Sequence, residues 1–75
     1  MNQEFEIRVG QKIRRLRGLR GLTQEQLAAQ LQTNGCDVTR SALAKIEVGQ
    51  RHIYVDELYF LAKILQVTVD ELIQE

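Results

Sequence analysis

Apolar residues recur along this chain at spacings of three and four, the period of an α-helix with one buried face. Val9, Ile13 and Leu16 mark the inner face of a first helix, predicted from about Phe5 to Arg20. Three later stripes have the same period: Leu27, Ala28 and Leu31; Leu43 and Ile46; and Leu58, Leu61, Ala62 and Leu65. With Leu72 from a short last helix, these residues are the predicted core. The pattern therefore predicts an all-α fold of five short helices without a strand.

Capping residues give the predicted helix starts. Thr23 and Gln26 form a capping box at the second helix, Thr39 caps the third, and Thr68 with Glu71 opens the fifth. Between the second and third helices, residues 32–38 make a connector of seven residues, in which Asn34-Gly35 is a strong turn signal. The fourth helix carries the acids Asp56 and Glu57 in its first turn, where their charge complements the helix dipole.

Length and composition exclude several classes of protein. Seventy-five residues make one small domain, spanning 1–75, with a core too modest for a deep catalytic cleft. No apolar run approaches the ~20 residues of a membrane span. The single cysteine, Cys36, forms no internal disulfide, and His52 has no Asp or Cys at ligand spacing. We therefore expect a cytoplasmic protein without a metal, a cofactor or a membrane anchor, and not an enzyme.

The charge is unevenly distributed, although its net value is zero. Residues 1–40 contain seven Lys or Arg against four acids, whereas residues 41–75 contain three against six. A domain with a basic and an acidic half can turn one face toward phosphates. Mixed charge also serves solubility alone, so this asymmetry does not by itself indicate nucleic-acid binding.

The second and third predicted helices, 23–31 and 39–47, carry the functional signal. Both keep their apolar residues on one face, and they follow a basic first helix. The third helix presents an outward set suited to base edges in a major groove: Arg40, Ser41, Ala44 and Lys45. A packed helix pair beside a basic helix is the layout of a helix-turn-helix domain.

From Val9 to Leu72 the chain resembles the Xre/Cro-type helix-turn-helix domain of phage repressors and bacterial regulators, which has the lambda repressor-like fold. Four motifs carry this resemblance in order: Ile13-x-x-Leu16-Arg17, Gly21-Leu22-Thr23-Gln24-x-x-Leu27-Ala28, Ser41-x-Leu43-x-Lys45-Ile46-Glu47-x-Gly49, and Leu61-Ala62-x-x-Leu65-x-Val67-x-x-x-Glu71-Leu72. Each motif alone is weak, because Leu-Ala-x-x-Leu occurs in many helices. Together, in this order and spacing, they are specific.

The resemblance implies roles for individual residues. Gln24 matches a glutamine that contacts phosphate and braces the recognition helix. Arg40, Ser41, Ala44 and Lys45 match positions that read base edges, and Arg51 in the following loop is placed for a phosphate. Arg17 and Glu47 match a partly buried ion pair between helices one and three.

Two departures from the family pattern are visible in the sequence. The connector between the second and third helices is several residues longer than the usual tight turn. Val48 stands where the family often has a polar residue, and Tyr54 is a poor cap for the fourth helix.

These observations predict a sequence-specific regulator of transcription, expected to be a repressor, that binds double-stranded DNA as a homodimer. The alternative is a protein-interaction module, such as the antitoxin of a toxin–antitoxin pair. The zero net charge and the apolar Leu19, Tyr59 and Phe60, which lie off the predicted inner faces, support that alternative.

Overall fold

The computed structural model describes residues 3–74, which form five α-helices and no strand. The helices are α1 (Gln3–Leu19), α2 (Gln24–Thr33), α3 (Arg40–Glu47), α4 (Val55–Leu65) and α5 (Val69–Ile73). The all-α fold of five helices predicted from the sequence is confirmed. Within residues 3–74 no helix combines the length and the apolar character needed to cross a membrane.

Side-chain caps define the helix starts, as the sequence predicts. The Thr23 hydroxyl accepts a hydrogen bond from the Gln26 N–H at 3.0 Å, and the Gln26 side chain accepts one from the Thr23 N–H at 2.9 Å. Thr39 accepts from the N–H of Ala42 at 3.1 Å. At α4, where the hydroxyl cap is missing, the Glu57 carboxylate accepts from the Tyr54 N–H at 3.0 Å. The poor cap is therefore offset by the acid three residues later.

The connector between α2 and α3 is shorter than predicted, because α2 continues two residues further, to Thr33. Gly35, at φ 78°, ends the helix, and the Cys36 N–H donates to the Leu31 carbonyl at 2.9 Å in a Schellman motif. The buried side chains of Cys36 and Val38 then fix the connector to the core. The five residues from 34 to 38, followed by the cap Thr39, form an ordered link that holds α3 in place.

The core is aliphatic and draws on all five helices. Its buried members are Val9, Ile13, Leu27, Ala28, Leu31, Cys36, Val38, Leu43, Ile46, Ile53, Leu61, Ala62, Leu65 and Leu72. Two predicted core residues, Leu16 and Leu58, are only partly buried against this cluster. Both lie in a terminal turn of their helix. Cys36, Val38 and Ile53 lie in connectors, which helical periodicity does not detect.

A close contact between α1 and α3 sets the position of α3. Gly10 is buried in the middle of α1. A Cβ atom at this position would collide with the Ile46 carbonyl oxygen and lie 3.0 Å from that of Glu47. Only glycine allows this approach, because other residues carry a Cβ. The backbone of α3 is thus pressed against α1, and its opposite face is left outward.

Candidate nucleic-acid interface

The third helix has a buried inner face and a polar outer face. Leu43 and Ile46 are fully buried. The outward residues are Arg40, Ser41 and Lys45, which are exposed, and Ala44, which is half-buried. The structure thus brings the four sequence-predicted residues of α3 to one exposed surface.

The two cations of this surface, Arg40 and Lys45, have no partner in the part of the chain that the structure describes. Among residues 3–74, Arg40 and Lys45 donate no hydrogen bond and join no ion pair, and the same holds for Arg14 and Arg15 on α1. Arg40 also lies in the first turn of α3, where the helix dipole disfavours a cation. An anionic ligand at this surface would relieve that cost.

Two other cations of the basic half have structural roles instead. Lys12 donates to the carbonyl oxygens of Glu71 and Gln74 at 3.0 and 2.6 Å, at the end of α5. Arg20 donates to the Leu65 carbonyl at 2.8 Å, at the end of α4. Both satisfy terminal carbonyl groups that have no partner within their helix. The basic half of the sequence therefore provides helix caps as well as an exposed basic surface.

Arg17 and Glu47 are in contact, in the pairing that the family resemblance implies. Arg17 donates from Nε and Nη2 to the two carboxylate oxygens of Glu47, at 2.7 and 3.1 Å. The Arg17 side chain is 15% exposed and that of Glu47 only 1%. Hydrogen bonding to Glu47 raises the pKa of Arg17 above its usual value, although burial acts in the opposite direction. The pair fixes the end of α3 to α1.

Gln24 completes this network from the start of α2. Its amide Nε2 donates to Glu47 Oε1 at 3.0 Å. Arg17 also donates from Nη1 to the Leu22 carbonyl at 2.9 Å, just before α2 begins. Three helices thus meet at one buried carboxylate. Gln24 braces α3 through Glu47, and its contact with phosphate stays a prediction.

An open cleft lies between the start of α2 and the outer face of α3. It is lined by Arg14, Arg17, Leu22, Thr23, Gln24, Glu25, Arg40, Ala44, Glu47 and Val48. The sequence prediction assigns three of these lining residues to DNA binding: Gln24, Arg40 and Ala44. Arg14 and Val48 were not assigned to it, because the folding of α1 beside the end of α3 is not visible in either segment alone. The cleft combines cations with the N-terminus of α2, which suits a phosphate.

Arg51 lies apart from this cleft and is engaged by a carboxylate. It donates from Nη1 and Nη2 to the two oxygens of Glu57 at 2.8 and 2.9 Å, and also to the His52 carbonyl. This bonding raises the pKa of Arg51. Burial opposes ionisation of Glu57, but the hydrogen bonds from Arg51 and the Tyr54 N–H outweigh it and keep the pKa of Glu57 below 4.5. The phosphate contact of Arg51 stays a prediction.

A second buried carboxylate, Glu6, holds the loop after α3. It accepts a hydrogen bond from the Ile53 N–H at 3.1 Å, and His52 Nδ1 lies 2.8 Å from its other oxygen. Burial acts to raise the pKa of Glu6, but these contacts leave it below 4.5. No periodicity in the sequence indicated this link. Among the described residues, no group of three or more His, Cys, Asp or Glu could hold a metal ion.

Comparison with known proteins decides the family. Residues 13–72 match the helix-turn-helix family. The chain belongs to this family. Its members of the Xre/Cro type are DNA-binding regulators of transcription, and the resemblance inferred from the four motifs is confirmed.

Related proteins agree with this assignment. The chain is 40% identical over 63 residues to the HTH-type transcriptional activator BcrR of Enterococcus faecalis. That match covers 84% of this chain but 28% of BcrR, so the chain spans less than a third of this relative.

Two solved structures have the same fold. The restriction-modification controller protein C.AhdI from Aeromonas hydrophila superposes with a TM-score of 0.82 at 31% identity, covering 93% of this chain and 94% of that one. The DNA-binding domain of BldD gives a TM-score of 0.79 at 26% identity, covering 97% and 99%.

Proposed function

We propose that this protein is a sequence-specific regulator of transcription that places α3 in the major groove of double-stranded DNA. The observation that carries the proposal is the outer face of α3, where Arg40 and Lys45 are exposed and have no partner among residues 3–74. The membership of the chain in a family of DNA-binding regulators supports the same role. No catalysis, metal or cofactor is needed for it.

The geometry of α3 suits a helix lying in a groove. Arg40 and Lys45 are five residues apart, so the helix turns about 500° between them, roughly 140° beyond a full turn. They flank one surface, and Ser41 and Ala44 fill the space between. Base edges then lie beneath the helix, with a phosphate wall on either side.

Contacts to the DNA backbone would come from the elements around α3. Gln24 and Arg14 line the cleft beside α3, at the N-terminus of α2. Arg51 uses three of its N–H groups within the protein, which leaves two of the five guanidinium donors for a phosphate. Such contacts set the register of α3 on the duplex and carry no sequence information.

We further propose a cytoplasmic homodimer. One recognition helix covers only a few base pairs, so useful specificity needs two half-sites about one helical turn, ~34 Å, apart. A dimer bound across a promoter excludes other proteins by occupancy alone, so we expect repression. Sedimentation with and without a palindromic duplex tests the assembly: two chains per duplex are expected, and one chain per duplex at saturation contradicts it.

The proposed function is tested by binding to duplexes selected from a random pool, at several salt concentrations. A protein that contacts about six phosphates should lose roughly a thousandfold or more in affinity between 50 and 200 mM salt. Excess random duplex should compete poorly. If no sequence is enriched, or if salt has no effect, the proposal is wrong.

The rival role, a protein-interaction module such as an antitoxin, rests on exposed apolar side chains. Leu19 is 71% exposed and Tyr59 is 55% exposed. Phe60 is partly buried against the core, with its ring in edge contact with Tyr59, and offers less to a partner. The double variant Leu19→Ser/Tyr59→Ser separates the roles. DNA binding by each protomer should persist in it, whereas an interaction module would lose its partner.

A further inference from the structure

Two apolar side chains, Ala44 and Val48, lie on the α3 side of the basic cleft. Val48 follows the last residue of α3 and is 52% exposed. It lines the same cleft as Arg40 and Ala44. These three residues are four apart, and each step turns the helix by about 40° beyond a full turn. They therefore follow one another along the same side of α3.

The position of Val48 is unusual for an exposed apolar side chain. The other residues of the cleft are mostly charged or polar, including Arg14, which also lines the neighbouring groove between α1 and the end of α3 together with Val48. Val48 therefore lies within the surface through which we propose that DNA is bound. Isolated exposed valines are common on protein surfaces, but Val48 lies in a cleft lined by arginines, where an apolar side chain is unusual.

We infer that Val48, together with Ala44, reads the C5 methyl group of pyrimidines in the major groove. The inference rests on the proposed function and adds the chemistry of the recognised bases. The thymine methyl is the apolar feature of the major-groove edges, and aliphatic side chains contact it. The methyl of 5-methylcytosine is attached to the same ring position. The recognised chemistry is thus a 5-methylpyrimidine, from either source.

The spacing of Arg40, Ala44 and Val48 along α3 matches the spacing of bases along a DNA strand. Four residues of helix rise about 6 Å, and successive bases of a strand are about 3.4 Å apart. Arg40, Ala44 and Val48 therefore face positions nearly two base steps apart. We expect the half-site to contain a guanine opposite Arg40 and, at intervals of nearly two base steps, two methyl-bearing pyrimidines opposite Ala44 and Val48.

The experiment starts from the duplex selected for the proposed function. Each thymine of the half-site is replaced in turn by uracil, which removes only the methyl group. Burying one methyl is worth about fourfold in affinity, so the thymine opposite Val48 should show a thymine-to-uracil ratio of about four. A cytosine and a 5-methylcytosine at that position form the second arm. If the duplex with 5-methylcytosine binds about four times more tightly than the one with cytosine, the protein reads the methyl group of either base. If the two affinities are equal, the protein reads the methyl group of thymine only.

A matched pair of variants assigns the methyl contact to Val48. Val48→Thr keeps the shape of the side chain and replaces one methyl by a hydroxyl. The ratio at one thymine should fall below about four, because one of the two methyl groups of Val48 is replaced by a hydroxyl, while affinity for the uracil duplex stays nearly unchanged. Val55→Thr makes the same change at an exposed valine of α4 that lines neither cleft, and should keep the wild-type ratio.

The possible failures are distinguishable. If no duplex is enriched in the selection, the proposed function fails. If a duplex is enriched and bound, but uracil at every thymine leaves affinity unchanged, the methyl inference alone is overturned. The same holds if Val48→Thr and Val55→Thr give equal ratios at every position.

Discussion

At the scale of single residues, one buried carboxylate organises the candidate interface. Glu47 accepts hydrogen bonds from Arg17 on α1 and from Gln24 on α2. Because its side chain is almost fully buried, its charge has little access to water. The two donors therefore replace its hydration, and in doing so they fix the orientation of α3. The recognition surface depends on residues that lie beneath it.

Removal of Arg17 should reveal this dependence as a loss of stability. Arg17→Met leaves the Glu47 charge buried with one neutral donor, which should cost ~3–5 kcal/mol in the free energy of unfolding. Arg15→Ala, an exposed change on the same helix, should stay within about ±0.5 kcal/mol. Urea unfolding measures both. Equal effects for the two variants would show that the Arg17–Glu47 pair behaves as a surface ion pair.

The buried acids predict how stability depends on pH. The pKa of Glu6 and that of Glu57 lie below 4.5 in the folded protein, so the folded state binds protons less readily than the unfolded chain. Their contribution is complete above pH 4.5 and is lost as the pH falls through the folded pKa values. Glu57→Gln should therefore be less stable than the wild type at pH 7 and lose less stability on acidification to pH 3. Parallel pH profiles of the two proteins would contradict this.

At the scale of helices, the packing of α1 on α3 outweighs helix propensity at Gly10. Propensity alone predicts that alanine stabilises a helix interior by about 1 kcal/mol. The Cβ of Gly10→Ala would instead collide with the α3 backbone, and we expect a loss of ~1–3 kcal/mol. Gly18→Ala is the matched control on α1, since no atom outside its own helix lies within 4 Å of the added Cβ. It should raise stability by ~0.5–1 kcal/mol. Thermal unfolding measures both changes. If Gly10→Ala and Gly18→Ala both raised the melting temperature, α1 and α3 would not be in close contact at Gly10.

The helices are predictable from the sequence, because each has its own apolar stripe and most begin with a local cap. Cys36, Val38 and Ile53 are not, because burial in a connector depends on the helices around it. The roles of Lys12 and Arg20 are likewise not predictable from the sequence. Both residues cap helix ends that are distant in the chain, and only the fold brings those ends close.

The candidate site was predictable to a similar extent. The outward positions of α3 follow from the helical period once Leu43 and Ile46 are assigned to the core. The pairing of Arg51 with Glu57 does not follow from the helical period, although only six residues separate the two across a helix start. The family pattern supplied the contact between Arg17 and Glu47, which no local rule connects over thirty residues.

In the molecule as a whole, we propose that α3 reads the base sequence and that α1 and α2 hold α3 in position. Arg40 is exposed at the start of α3, whereas Gln24 lies at the start of α2 and is bonded to Glu47. A contact to a base edge and a contact to a phosphate differ in one measurable respect. Only the first depends on the sequence of the duplex.

The most direct test compares the affinities of Arg40→Ala, Gln24→Ala and the wild type for the selected duplex, its single-base variants and random duplex. Arg40→Ala should weaken the free energy of binding to the selected duplex by ~1–3 kcal/mol and relax the preference at one base position. Gln24→Ala should weaken all duplexes alike. Equal weakening of selected and random duplexes by Arg40→Ala would show that α3 does not read the sequence.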